Sequence, residues 1–427
     1  MSINLTSLHT TIPRKVVLFL CVYLFIFSPR FDFGVEIHTG YVVVLFALIY
    51  GWRTLVADKS VRAIVPFAGI FSILAVFHFV MASVYSNNPI YFASIQISLV
   101  IYLLFGFTLS YIFTERWNFG HLKNECFVDE IILLSALSIF LNSLIILTCY
   151  VNPTFKLSLE SLLVNDLAAN IDYANHPFRL RGFASAGGAA LSVINSIGVL
   201  LFIFLARDSI LSYSTALILA LPIVVSNVFT GRTGMIAGSA FYCILLILSF
   251  RRFFVPHRRR ERFYVGGALV SVGLLIYNVF HYELDPESAN WAFDWVEGLL
   301  VGRLDSSSIE ELSSTLSLPD NPVHLLLGIG FFEGEISLYP RSDSGYLKTI
   351  FSVGLIFAVL MYVVLVWLFT RLCIVSVKYY WLVCLILFYM LLIEIKEPFL
   401  YQNFSARLLF LLSSVALFAN KKKVSRW

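Results

Sequence analysis

Four short stretches of this 427-residue chain hold side chains in patterns that chemistry could use. The first is FRLRGFASAGGAAL, where Arg179 and Arg181 precede glycines and small residues that let backbone approach closely. The second is FTGRTGMIAG, in which Thr and Gly flank Arg232 on both sides. The third, YPRSDSGYLKTI, sets Arg341 beside Asp343, Tyr346 and Lys348. The fourth, LLIEIKEPFLYQNF, holds Glu394, Lys396 and Glu397. Guanidiniums grip phosphate oxygens two at a time, and such charge-assisted bonds are roughly twice as strong as neutral ones. Several of them converging on one cavity would suit a pyrophosphate, with Asp343 as candidate base. Each pattern also has a plainer use. An arginine can serve a salt bridge or a lipid headgroup, Asp343 can be the ion-pair partner of Arg341, and Glu394, Lys396 and Glu397 can form a structural ion-pair network.

The histidines read as less telling. His176 lies just before the arginine pair, and His281 and His324 bound most of a long polar stretch. Imidazole titrates near neutrality and can act as a base. None of these three has a partner at a fixed spacing, so each reads as a satisfied loop histidine. His38 and His78 sit within or beside apolar runs and read as packed polar side chains. No metal site is expected: there is no D-x-D and no Cys/His spacing for zinc, and Asp285 of the Glu283-Leu284-Asp285 triplet reads as a helix N-cap. Phosphate-binding glycine loops and dinucleotide fingerprints are absent from the sequence, so no cofactor is expected, and the basic cluster from Arg251 to Arg262 reads as a topology anchor rather than a nucleic-acid site.

The elements that carry these residues are set by composition. Hydrophobic residues make up 59% of the chain, charged residues only 13% and aromatics 16%, with a mean hydropathy of +0.85. A soluble domain carries roughly 25% charged residues, so this chain lacks the polar material for a globular surface. Apolar runs near the roughly 20 residues that cross a bilayer recur throughout. They predict an all-α, polytopic transmembrane helical bundle of about 12 spans: 16–34, 37–51, 63–85, 92–113, 128–150, 186–206, 213–229, 234–250, 263–281, 346–370, 379–395 and 406–420. The first run lacks a small-residue cleavage site after Ser28-Pro29-Arg30 and reads as a retained span. Six cysteines fall in spans or predicted cytoplasmic loops, so no disulfide framework is implied.

Charge orients the bundle. With the N-terminus inside, the short cytoplasmic segments take twenty of the 30 basic residues but only seven of the 26 acidic ones. That satisfies the positive-inside rule, most visibly in the cluster from Arg251 to Arg262, which reads as a topology anchor. Both termini are then cytoplasmic and the four chemical stretches lie on the outer side. The whole chain, 1–427, reads as one integral membrane domain with two long outer loops, 151–187 and 282–346. Loops of such length are disproportionately functional. In the larger one, between spans 9 and 10, Asp285-Pro286 opens a helix and Trp291, Trp295 and Leu299 recur at four-residue spacing; a second helix is expected through Ile309 to Leu316. These amphipathic stretches either lie on the membrane surface, cap a cavity or pack against the bundle.

The pattern resembles the bacterial O-antigen polymerase and ligase superfamily. It does so through ten to twelve spans, the outer R-x-x-G of Arg179 and Gly182, the T-G-R-T-G turn at Arg232, and a large outer loop ending in GIGFFEG (Gly328, Gly330) and SDSGYLKTIFSVG. Ligases of this group usually carry a histidine near the end of that loop. Here the stretch reads Ser342-Asp343-Ser344-Gly345-Tyr346, which points to the polymerase branch. The resemblance implies a metal-independent glycosyltransferase of the bacterial inner membrane, working on an undecaprenyl-pyrophosphate-linked oligosaccharide at the periplasmic face. Asp343, Arg232 and Arg341 would be catalytic, and Arg179, Arg181, Tyr346, Lys348, Glu394, Lys396 and Glu397 would bind pyrophosphate and sugar. Membrane lipids and an inner-membrane chain-length regulator are the implied partners. The alternatives are a ligase acting on lipid A-core and a lipid-linked oligosaccharide flippase or transporter. Against the last, the sequence displays no repeated halves with broken helices.

Overall fold

The computed structural model describes residues 5–57, 62, 64–85, 90–112, 124–164, 180–253, 317–330 and 342–424. Its helices, in chain order, are α1 (Leu5–Phe27), α2 (Thr39–Ala57), α3 (Val65–Tyr85), α4 (Ile90–Tyr111), α5 (Asn124–Val151), α6 (Pro153–Glu160) and α7 (Gly188–Arg207). There follow α8 (Tyr213–Asn227), α9 (Arg232–Phe253), α10 (Pro322–Leu327), α11 (Gly345–Phe369), α12 (Arg371–Val375), α13 (Tyr380–Ile393) and α14 (Asn403–Val424). Two three-residue strands, β1 (Arg30–Asp32) and β2 (Glu36–His38), pair antiparallel between α1 and α2. Among the described residues, 7 helices are long and apolar enough to cross a membrane, and Thr39–Gly51, Tyr213–Asn227 and Val377–Ile393 are shorter apolar segments. The chain is an all-α, membrane-embedded protein. The expected span 263–281, the expected loop helices around Asp285, Trp291 and Ile309, and the residues Arg179, Arg341, His176 and His281 all lie outside the described residues.

Element ends follow local chemistry. The first expected span was to run to residue 34, but α1 stops at Phe27. Proline disfavours helix at the residue before it, and Ser28, ahead of Pro29, sits at φ 41° in the left-handed region. Beyond it, Arg30 pairs with Glu36 at 3.3 Å and His38 Nε2 lies 2.9 Å from the same carboxylate. The first long loop is not featureless. Asn152 caps α6 by accepting from the Phe155 amide at 3.0 Å with Pro153 opening the helix, a start signal legible in the sequence. The chain then bridges Phe31 through Leu163.

Two compact units divide the chain, with boundaries falling inside α2 and α5. The first holds α1, the strands, most of α5, and α6 to α9. Its centre is α7, buried continuously from Ala190 to Ala206 and packed by α8 and α9. A helix apolar all round has no solvent-facing side to offer, so it goes to the middle. The second holds most of α2, then α3, α4 and α10 to α14. There α4 packs on α3 and α14, and ring contacts Phe77–Phe357 (4.0 Å) and Phe67–Trp367 (4.6 Å) fasten α11 to α3. The far face of α3 leaves Ile73, Val76 and Val84 about two-thirds exposed, as a lipid-facing surface would.

One element departs from its expected form. Residues 346–370 read as one continuous span, whereas α11 is broken at Gly354 (φ 76°, ψ 165°). The Tyr362 hydroxyl donates to the Gly345 carbonyl at 3.3 Å, although seventeen positions of straight helix would hold them roughly 25 Å apart. The chain therefore doubles back: a half-helix, Gly345–Val353, lies against the second arm from Leu355 onward. In a continuous helix the Phe351 and Ser352 carbonyls would bond to amides four residues on. Here they accept from the Ile329 and Gly330 amides, at 2.8 and 3.1 Å.

Candidate functional site

In the first unit the segment after the long loop is built around Asn142 of α5. Its Oδ1 accepts from the Phe183 amide at 3.1 Å and the Tyr23 hydroxyl at 3.3 Å, and its Nδ2 donates to the Arg181 carbonyl at 3.4 Å. Arg181 is 5% exposed, and both terminal nitrogens of its guanidinium donate to the Val164 carbonyl, at 3.2 and 3.3 Å. This arginine ties the segment that follows α6 to the one that leads into α7. The Leu180 amide donates to the Phe229 carbonyl at 2.8 Å, which joins this segment to the T-G-R-T-G turn. Two stretches that the sequence marks separately are thus neighbours.

That turn is shaped by close packing on α7. The Gly234 amide donates to Ser192 Oγ at 3.1 Å, and Asn227 Nδ2 donates to the Gly234 carbonyl at 3.0 Å. A Cβ at Gly234 would run into the Ser192 carbonyl. Arg232 opens α9 and is half-buried, so the glycines around it set how its guanidinium leaves the turn. Gly234→Ala is expected to push α9 off α7 and to cost on the order of 3 kcal/mol. Thermal unfolding of the detergent-purified variant checks this; an unchanged midpoint would show that α7 gives way freely.

In the second unit the Ser342–Lys348 segment meets the turn after α13. Gly345 N donates to the Glu394 carbonyl at 2.9 Å, and the Tyr346 hydroxyl donates to the Leu391 carbonyl at 2.6 Å. Glu394 is fully buried. Its Oε1 accepts from the Tyr362 hydroxyl and its Oε2 from the Leu400 amide, both at 2.9 Å. Asp343 has a 60% exposed side chain and stands 3.9 Å from Lys348 Nζ, which is itself 9% exposed as a residue. Lys396 is exposed and Glu397 half-buried.

Sequence reasoning singled out Asp343, Tyr346, Lys348 and Glu394 but missed Tyr362, Thr349 and Tyr401. Thr349 Oγ1 lies 2.7 Å from the Tyr401 hydroxyl and 3.0 Å from that of Tyr362, and it donates to the Gly345 carbonyl at 2.7 Å. Tyrosines inside apolar runs look like membrane aromatics. Only the fold-back at Gly354 brings Tyr362 to Glu394. His78 is buried, as expected of a packed polar residue, and His324 sits half-exposed in α10. Among the described residues, no cluster of three His, Cys, Asp or Glu could hold a metal. No protein-family model matches this chain, and no curated protein matches it.

Proposed function

We propose that this chain is a twelve-span enzyme of the bacterial inner membrane, both ends cytoplasmic, that polymerises undecaprenyl-pyrophosphate-linked oligosaccharide units at the periplasmic face. The observation that carries this reading is the pairing of the four chemical stretches, two by two. Leu180 to Phe229 joins those of Arg181 and Arg232, and Gly345 to Glu394 joins those of Asp343 and Glu394. Sequence-distant polar groups collected within apolar units are costly to keep there and mark a working site. In the reaction, Arg232 and its companion arginines offset the charge that builds on the departing pyrophosphate. Asp343, the most exposed carboxylate of its group, takes the proton of the acceptor hydroxyl as the anomeric carbon passes through oxocarbenium-like character. A membrane-embedded chain-length regulator is the expected partner.

Deleting the gene should leave lipid A-core carrying at most one repeat unit, read as loss of the ladder on a lipopolysaccharide gel. An undiminished ladder overturns the reading. One observation favours a second: α11 is a discontinuous helix, a device common where transporters bind their cargo. A lipid-linked oligosaccharide flippase predicts a bare core with repeat units trapped on the cytoplasmic leaflet. Bare core with polymer still on its lipid carrier is the ligase outcome.

A further inference from the structure

We propose that Glu394 is a positioning residue whose carboxyl, bonded to Tyr362, latches the half-helix Gly345–Val353 and so sets the place of Asp343 and Lys348. Every contact needed for a latch is present within the second unit. The Glu394 backbone carbonyl takes the Gly345 amide at 2.9 Å, and a Cβ at Gly345 would meet Glu394 Oε1. Tyr362 on the second arm touches both ends of the clasp, 2.9 Å from Glu394 Oε1 and 3.3 Å from the Gly345 carbonyl. Thr349, one turn into the half-helix, ties the same tyrosine to Tyr401. From Gly345 the anchoring runs to the chemistry: the Lys348 amide donates to the Ser344 carbonyl at 2.9 Å, the Ser344 amide to Ser342 Oγ at 3.3 Å, and Lys348 faces Asp343.

A half-helix of nine residues that returns on itself has little intrinsic stability and depends on what it packs against. The titratable side chains that interact with the Glu394 charge are the phenols of Tyr346, Tyr362 and Tyr401. Lys348 on the half-helix faces Asp343, and Lys396 and Glu397 follow Glu394 in its own turn. With the carboxyl protonated, its hydroxyl donates to the Tyr362 oxygen while the remaining oxygen accepts from Leu400. The phenol proton then goes to the Gly345 carbonyl, and no group is left unpaired. Ionised, the carboxylate needs both donors and must sit in an apolar surround.

The consequence for Asp343 rests on the polymerase reading, whereas the latch itself is measured without it. Hydrogen exchange of the amides 345–353, corrected for the intrinsic rate, is compared in nanodiscs for the wild type and three variants. Glu394→Gln reproduces the protonated pattern, because its amide donates to Tyr362 and its carbonyl accepts from Leu400. It should stay as protected as the wild type. Glu394→Ala and the milder Tyr362→Phe should exchange at least tenfold faster. Wild-type rates in Tyr362→Phe or in Glu394→Ala would overturn the latch. Should the ladder survive gene deletion while exchange behaves as described, the polymerase reading fails and the latch stands.

Discussion

Arg232→Ala is expected to abolish the polysaccharide ladder, a loss of about 100-fold or more in polymer, while the protein accumulates at its normal level. Arg232 is the first residue of α9, where the helix dipole opposes a positive charge by roughly 0.3–1 kcal/mol. Its neighbours are equally constrained: Gly231 and Gly234 press on Ser192, and Asn227 holds the Gly234 carbonyl. These contacts are made by the glycines, Ser192 and Asn227, and the protein level tells a lost site from a lost fold. On the proposed reading the substitution removes a preorganised donor for a departing pyrophosphate, and losing one such donor costs about 10²–10³ in rate. Arg232→Lys, which keeps the charge but not the planar fork, should retain only a short ladder. The gel and an immunoblot of the membrane fraction check both variants; an intact ladder in the alanine variant would take Arg232 out of the site.

Gly354→Val is expected to have the largest effect on folding. At φ 76° the backbone stands in a region that costs a branched residue about 1–3 kcal/mol. A Cβ there also strikes the Leu326 carbonyl, adding an overpacking cost of about 1–3 kcal/mol. The break cannot heal into straight helix without giving up the Ile329–Phe351 and Gly330–Ser352 bonds and carrying Tyr362 away from Gly345 and Glu394. A markedly lower unfolding midpoint in detergent is the expected result, with Gly354→Ala affected in the same direction and less. A valine variant as stable as the wild type would mean that α11 runs straight through this position.

Much of the architecture was written in local pattern. Among the described residues helices stand where the apolar runs are, but the expected first span ran on to residue 34, past the Ser28-Pro29 stop, and no helix start was expected at Asn152-Pro153. The turn at Arg232 was legible because Thr-Gly-Arg-Thr-Gly between two apolar runs leaves a short connection little choice. The break in α11 was not. Gly354 sits in an apolar stretch, FSVGLIFAV, and one glycine inside a helix is usually tolerated. Whether it continues or reverses depends on what its neighbours' carbonyls can find to bond, and those donors come from residues 329 and 330. Glu394 shows the same limit. Beside Lys396 and Glu397 it looks like one member of an ion-pair network, but the fold turns it inward to Tyr362 and the Leu400 amide.

The sequence by itself determined the class of protein and its parts. Too few charges to coat a soluble surface, and apolar runs at bilayer length, leave little but a helical membrane bundle, because only helices satisfy their own backbone in an apolar medium. It also marked the arginines and carboxylates worth watching, since polar groups are rare against that background. The tertiary structure alone decided which of these groups meet. Leu180 joins Phe229, and Gly345 joins Glu394, across gaps in the chain that no periodicity encodes. Hydropathy is a property of one segment at a time. A hydrogen bond between segments depends on where each backbone turns, and here that was settled by a close approach at Gly234 and a reversal at Gly354.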